Sequence, residues 1–478
     1  MSRPAHDPVR CTDAVASDGH RNFNAIGLAG LCGLVLGLLA APAWAGTPLV
    51  VTNFDDSGPG SLRAHILSAN AAGTPQRIEF AVTGVIVPTS RLPEITGDVT
   101  LQGPGIDGLS ISGNHATGLM KVGPTGELRV LDLSLVDGQG QPGDFVDNFG
   151  AAVANHGRLV LERVRLRGNV AVFGGAVSTA PAAWTTIIDS ELALNTAHIG
   201  GALYSENGRL EVFDSTLHGN HAHAEGGAIA AVNPDNRNHD ATNEVLIGRS
   251  SLRFNHADSR GGGLYNQGRL VIIQGSTFEG NQALDSGGGI RSVGVSGGPA
   301  GATAIYNSTL SGNLAPAGTG SAIDATTVQG STQTLLFHVT VANLEGGAGW
   351  ALRGPISARH SLLADAGGNC APGPHLITNL DGSLASDGSC PGFAQATLAQ
   401  LALAPLADNG GPTRTHALKP GSAAIDSIAG CDDSETTSHT DDQRGVARPV
   451  DGDGDGIALC DAGAYEANDL LFVSGFEH

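Results

Sequence analysis

Several groups of residues have types and spacings that can do chemistry. Asp451-Gly-Asp453-Gly-Asp455-Gly456 alternates carboxylates with glycine. Such a turn can converge hard oxygen ligands on Ca2+, as in the first half of an EF-hand loop. The twelfth position is Ala462 rather than a bidentate Glu, so helix-loop-helix geometry is not expected and Asp461 is the candidate nearby ligand. The same acids also read as a solvated acidic turn. His218, His221 and His223 form a second group, with His198 and His256 at comparable places in neighbouring repeats. Three imidazoles can hold zinc or copper, but no carboxylate or cysteine completes a recognisable spacing, and turn histidines are usually solvated. Asp189 and Asp214 recur beside a column of serines, and Asn238-His-Asp240 is an isolated triplet. Hydrolysis of a glycoside needs two carboxylates ~5 to 9 Å apart on one face. The repeats show no continuous column of acids, and no lysine stands between Lys121 and Lys419. No catalytic residue is assigned.

The elements that must position these groups are set by a repeated phrase. Asn169, Asn195, Asn220, Asn255, Asn281 and Asn313 are spaced 26, 25, 35, 26 and 32 residues apart, and glycine pairs such as Gly200-Gly201 and Gly226-Gly227 follow most of them. Self-similarity at this period marks a stacked repeat architecture. Three residues before each asparagine stand Leu166, Leu192, Leu217, Leu252, Phe278 and Leu310; five before stand Val164 and then Ser190, Ser215, Ser250, Ser276 and Ser308. Apolar columns also stand eight and ten before it. Steps of two mean strand, and the step of three between pairs means a corner. With a third strand after the glycine pair, each repeat reads as one coil of a parallel β-helix, stacked at ~4.8 Å. The asparagine column is expected to be a structural ladder, since stacked amides satisfy turn backbone. Polar insertions at Asn233 to Asn243 and Gly294 to Gly301 follow equivalent strands and should emerge on one side of the rod. Near the start, Leu62, Ile66 and Leu67 share a helical face behind Ser61, as expected of a short helix capping the open end of the stack.

Composition agrees with a turn-dense all-β chain: 70 of 478 residues are glycine, 4% are aromatic and 15% charged. Arg3, Arg10 and Arg21 precede the apolar run Ala25 to Ala40, and Ala43-Trp44-Ala45 offers a small-x-small cleavage site after Ala45, so residues 1–45 read as an export signal. No transmembrane segment is expected after its removal. The net charge is -21, and from Asp365 onward 17 acidic residues face 4 basic ones. This balance argues against nucleic acid as a partner and suits divalent cations. The remaining cysteines, Cys370, Cys390, Cys431 and Cys460, imply two disulfides with three connectivities, of which nearest-neighbour pairing is the expected one.

The repeats, with Gly-Gly-Ala-Ile type phrases and Leu usually in the Phe place of Phe-x-x-Asn, resemble those of the polymorphic outer membrane proteins. That resemblance implies a right-handed parallel β-helix displayed on a bacterial surface, often in adhesion. The chain ends soon after the helix, so a C-terminal membrane barrel of many strands is not expected. Asp408-Asn409-Gly-Gly-Pro412-Thr413, Asp442-Gln443-Arg444-Gly445-Val-Ala-Arg448-Pro449 and Cys460-Asp461-Ala-Gly463-Ala-Tyr465-Glu466 resemble the choice-of-anchor Q domain of exported bacterial proteins. Gly60-Ser61-Leu62-Arg63-Ala64-His65 is similar to a CSLREA-type segment, with Gly60 for the Cys and Ala64 for the Glu. The expected organisation is an export signal (1–45), an N-terminal cap (46–76), a right-handed parallel β-helix (77–366), a disulfide-bonded choice-of-anchor Q-like domain (367–468), and a tail (469–478) that resembles a sorting tag. The expected function is that of a surface-associated, adhesin-like binding or structural protein of a diderm bacterium without catalysis, meeting a cell-surface glycan or protein. The alternative is a β-helix polysaccharide lyase or glycoside hydrolase.

Overall fold

A computed structural model describes residues 47–140, 148–234, 244–294, 301–325, 332–373, 377–431 and 440–468. The export signal with Ala45, the triplet Asn238 to Asp240, most of both insertions and the tail 469–478 lie outside the described residues.

Short apolar runs ending in turn residues become strands that pair in parallel with the equivalent run of the next coil. Leu159, Thr185, Leu210, Val245, Val271 and Thr303 lie in register from coil to coil, as do Leu166, Leu192, Leu217, Leu252, Phe278 and Leu310. These two columns belong to one 24-stranded sheet, and the strands after the glycine pairs form a nine-stranded sheet. The architecture is an all-β, right-handed parallel β-helix with an N-terminal helix and C-terminal disulfides. Between asparagine and glycine pair the structure adds a short strand that the column reading did not resolve: Val170–Phe173, Thr196–Ile199, His221–Ala222, His256–Ala257 and Gln282–Ala283 form a five-stranded sheet. Two to four residues are too few to show a period of two. Parallel pairing also runs past residue 366, through Leu384–Ala385 to Ala394–Gln395.

The corner inside the first sheet is built from residues with left-handed backbone. Asp132, Arg163, Asp189, Asp214 and Arg249 all have φ between 46 and 55°. One residue on, Ser190 Oγ accepts from the Val164 amide, Ser215 Oγ from the Ser190 amide, and so on to Ser308, at 3.1 to 3.2 Å. From Asn195 onward, each ladder asparagine Oδ1 accepts both the amide and the Nδ2 of the asparagine one coil earlier, while its own Nδ2 donates to a carbonyl of that earlier coil. Between asparagine and sheet, Gly201 comes so close to the next coil that an added Cβ would run into the Gly227 carbonyl oxygen.

Helix α1, Leu62–Ala71, has Ser61 as N-cap and packs against the first strands, Leu49–Val51, Gln76–Phe80 and Asp98–Gln102. Its buried face is Leu62, Ile66 and Ala69, whereas Leu67 is 56% exposed, which corrects the expected face: the helix presents its i, i+4, i+7 stripe inward.

The C-terminal residues fold back onto the side of the rod. Gln443 donates to Thr277 Oγ1 and accepts from Thr309 Oγ1, Arg414 pairs with Glu279 at 2.6 Å, and His416 meets Ser311 at 2.9 Å. Cys370–Cys390 and Cys431–Cys460 form the two disulfides, with Cα atoms 5.1 and 5.6 Å apart. Beneath this lobe the corner column continues as Gly275, Asn307, His338 and His360, all buried. Upstream, where Arg163, Asp189, Asp214 and Arg249 stand, the same corner is exposed.

Candidate functional site

The exposed part of this corner borders a groove of about 540 Å3. Its floor comes from outward positions of the short strands Glu191–Ala193, Thr216–His218 and Ser251–Arg253, because alternate residues, such as Leu192 and Leu217, point into the core. Ala193 is the residue in register with His218, and its small side chain lets the imidazole lean across to Glu191, with Nε2 2.9 Å from Oε1. Arg165 Nε donates to the other oxygen of Glu191 at 2.8 Å. Burial pushes the Glu191 carboxyl up, but its hydrogen bonds with Arg165 and His218 outweigh that and leave it below the ordinary range. Glu191 is therefore a fixed anion at neutral pH, and it holds the His218 ring in place.

Arg253 stands in register with His218 one coil further along and lines the same groove. It has no hydrogen-bond or ion-pair partner among the described residues. The corner acids are placed differently. Asp132 is paired with Arg163 at 2.7 Å and Asp214 with Arg249 at 2.6 Å, while Asp189 lines the groove between them. The pairing holds Asp132 below its usual range, chiefly through the Arg163 hydrogen bond. Of the acids noted in the sequence, Asp189 and Asp214 thus reach the groove. Glu191, Arg165 and Arg253 were missed, although their signal was available as the outward positions four and two residues before each ladder asparagine.

The histidine group divides. His218 faces the groove, whereas His221, His223 and His256 lie on the outer face of the five-stranded sheet and surround Asp258. His221 Nε2 and His256 Nε2 are 2.9 and 3.0 Å from Asp258 Oδ1, and His223 Nδ1 is 3.1 Å from Oδ2. The His221 hydrogen bond, joined by those of His223 and His256, holds the Asp258 carboxyl down to about 2. Asp258 is the carboxylate that the linear spacing hid, 35 residues beyond His223.

A second cluster unites Asp426, Asp451 and Asp453, whose oxygens lie within 4.8 Å of one another. Both clusters can coordinate a divalent cation. Asp455 instead accepts from the Ile457 amide, and Asp461 is buried, accepting the amides of Asp426 and Ala467 at 2.8 and 2.6 Å. Burial and the neighbouring Glu466 raise Asp461 to about 7. The place expected for Asp461 beside the loop is taken by Asp426, whose Oδ2 accepts the Gly452 and Asp453 amides. The six ladder asparagines are all buried in their turns.

A family model described as the Chlamydia polymorphic membrane protein repeat matches residues 275–293. Curated proteins provide no match. Among solved structures, the chain is similar to the A-module of mannuronan C-5 epimerase AlgE6 from Azotobacter vinelandii, at 16% identity and TM-score 0.37, over 71% of this chain and 99% of that one. It is also similar to a PL6 alginate lyase in complex with a trisaccharide, at 11% identity and TM-score 0.40, over 79% and 92% of the two chains. A third, the PL6 family alginate lyase AlyGC, has 14% identity and TM-score 0.36, over 78% and 56%. These are likenesses of fold. The three are an epimerase and two lyases, where an adhesin-like protein without catalysis was expected. Among the described residues no helix is long and apolar enough to cross a membrane.

Proposed function

We propose that the protein is a polysaccharide-active enzyme that works in the His218 groove on a uronate-containing polymer. The observation that carries this reading is Arg253, a guanidinium without a partner among the described residues, held one coil from the His218 imidazole that a fixed carboxylate orients. A sugar carboxylate paired with Arg253 would lose much of its charge, which acidifies the neighbouring C5–H. His218 would take that proton, and Glu191 would stabilise the imidazolium. The C5–H electron pair would become the C4–C5 double bond as the C4–O bond breaks, and the departing oxygen would leave with a proton from solvent. Hydrolysis is the second reading, favoured by Asp189 and Asp214 on the same groove.

Polymannuronate, polyguluronate, polygalacturonate and a neutral glucan are the test substrates. Elimination gives ultraviolet absorbance from the new conjugated double bond. His218→Gln is expected to lower kcat about 100-fold or more, and Arg253→Ala to raise KM about tenfold for loss of a charged hydrogen bond. Reducing sugar released from any of these without absorbance would favour hydrolysis; turnover indifferent to His218→Gln would remove the groove from the reaction.

The groove's partner on this reading is an extracellular or cell-surface polysaccharide. We place the mature chain outside the cytoplasm, in the medium or at the outer surface of a diderm bacterium. The two disulfides and the export signal support this. An exported polypeptide whose first residue is not Gly46 would contradict the cleavage after Ala45. The C-terminal lobe is read as a choice-of-anchor Q-like domain, with 469–478 as a tag whose deletion would release the protein from cells. Its Asp426, Asp451 and Asp453 cluster is read as a calcium site, since three neighbouring carboxylates offer hard oxygen ligands.

A further inference from the structure

The five-stranded sheet carries a second constellation that the groove chemistry does not use. Its strands begin one residue after each ladder asparagine. Side chains one and three residues after the asparagine therefore face outward, while the residue between them, Ala197, Ala222, Ala257 or Ala283, is buried. Read down the stack, the outward pairs are Thr196 and His198, then His221 and His223, then His256 and Asp258, then Gln282 and Leu284. His221 pairs in register with His256, and Ala222 with Ala257. Two adjacent coils thus present a two-by-two array of three imidazoles and one carboxylate on a rigid parallel lattice.

We propose that His221, His223, His256 and Asp258 form a binding site for a borderline divalent transition-metal ion of the Zn2+ type, distinct from the polysaccharide groove. All three imidazoles already bring a nitrogen within 3.1 Å of the Asp258 carboxylate, and ligand atoms of His221, His223 and Asp258 lie within 4.8 Å of one another. A tetrahedral zinc with bonds of about 2.0 to 2.2 Å needs ligand atoms about 3.3 to 3.5 Å apart. Small side-chain rotations bring the set to that spacing, because the side chains are 33 to 56% exposed and free to turn while their Cα atoms are locked by the sheet. The ion would replace the protons now shared between nitrogens and carboxylate. A donor set with three nitrogens and one oxygen selects Zn2+, Cu2+ or Ni2+ over Ca2+ and Mg2+. The four ligands come from two consecutive coils, so the ion would clamp one coil to the next.

Calorimetric titration of the mature chain with ZnCl2, in excess calcium to occupy oxygen-only sites, tests the proposal. Wild type is expected to bind one zinc. Asp258→Asn and His221→Ala are expected to weaken binding at least tenfold, with His218→Gln unchanged because that imidazole faces the groove. The visible spectrum of the Co2+ form should show the intense bands of a tetrahedral nitrogen-oxygen set, a readout that needs no variant to fold. Absence of zinc heat and of cobalt bands in the wild type, or equal affinity in all variants, would overturn it. Because the array and the groove lie on different sheets, loss of zinc binding leaves turnover a separate question.

Discussion

At the scale of single residues, burial decides which acids keep their charge. Asp258 sits among three imidazoles near the surface and is held to about 2, whereas Asp365 is 3% exposed and burial, added to by the nearby Asp387 charge, raises it to about 6 against the Gly367 amide hydrogen bond. The folded value of Asp365 lies above the unfolded one. Between about pH 4 and pH 6 the folded chain holds a proton that the unfolded chain has lost, so stability from this group falls as pH rises across that window. Asp365→Asn keeps an acceptor for the Gly367 amide and removes the buried charge. It is expected to stabilise the protein by on the order of 1–3 kcal/mol at pH 7 and to have little effect at pH 4. Denaturant melts at the two pH values check this, and an equal shift at both would show that charge is not the cause. The sequence identifies Asp365 only as an acid at the start of the cysteine-bearing region; its burial comes from in-register pairing with Asn343.

At the scale of elements, two ladders run beside each other along the rod. The serine and asparagine columns were both legible as spacings, and the asparagine column was expected to satisfy turn backbone. In the structure Asn220 Oδ1 accepts two donors from Asn195, and its Nδ2 bridges Leu192 O and Asn255 Oδ1. Asn220→Leu leaves the buried Asn195 amide without its acceptor, at a cost of at least about 2 kcal/mol. A thermal melt lowered by several degrees is the expected outcome, and an unchanged melt would mean that the ladder contributes nothing. The outward residues were harder to read. Inward columns repeat because every coil fills the same core, whereas outward ones face solvent and are unconstrained by packing. Glu191, His218 and Arg253 therefore stand out only after the register is known.

At the scale of the whole molecule, the C-terminal lobe divides one face of the rod in two. From Gly275 onward it covers the corner column, which there carries glycine, asparagine and buried histidines; before that point the column is charged and open. The lobe is held to the coils by Gln443, Arg414 and Thr413, and internally by Arg448, which is fully buried against Glu466 at 2.7 Å. Its acidic loop closes beside this network, since Asp426 links the Asp451 turn to the buried Asp461. Calcium bound by Asp426, Asp451 and Asp453 should stabilise the lobe by about 2.7 kcal/mol at 100 times its Kd. The expected result is a melting transition that rises with added calcium and falls with chelator; indifference to both would leave the loop a solvated acidic turn. The groove should remain folded in chelator, because its coils lie outside the lobe.

The repeat period, the inward columns and the cysteine count determined a β-helix with a disulfide-bonded end, because close packing and backbone hydrogen bonding act on every coil alike and so write themselves as a periodic signal. Function left no such signal. Asp258 joins His221 and Asp426 joins Asp451 across tens of residues, and Arg253 comes beside His218 across 35, through coil stacking and chain return that only the tertiary structure supplies. The asparagine phrase explains the rod, and the surface that the rod displays explains the chemistry.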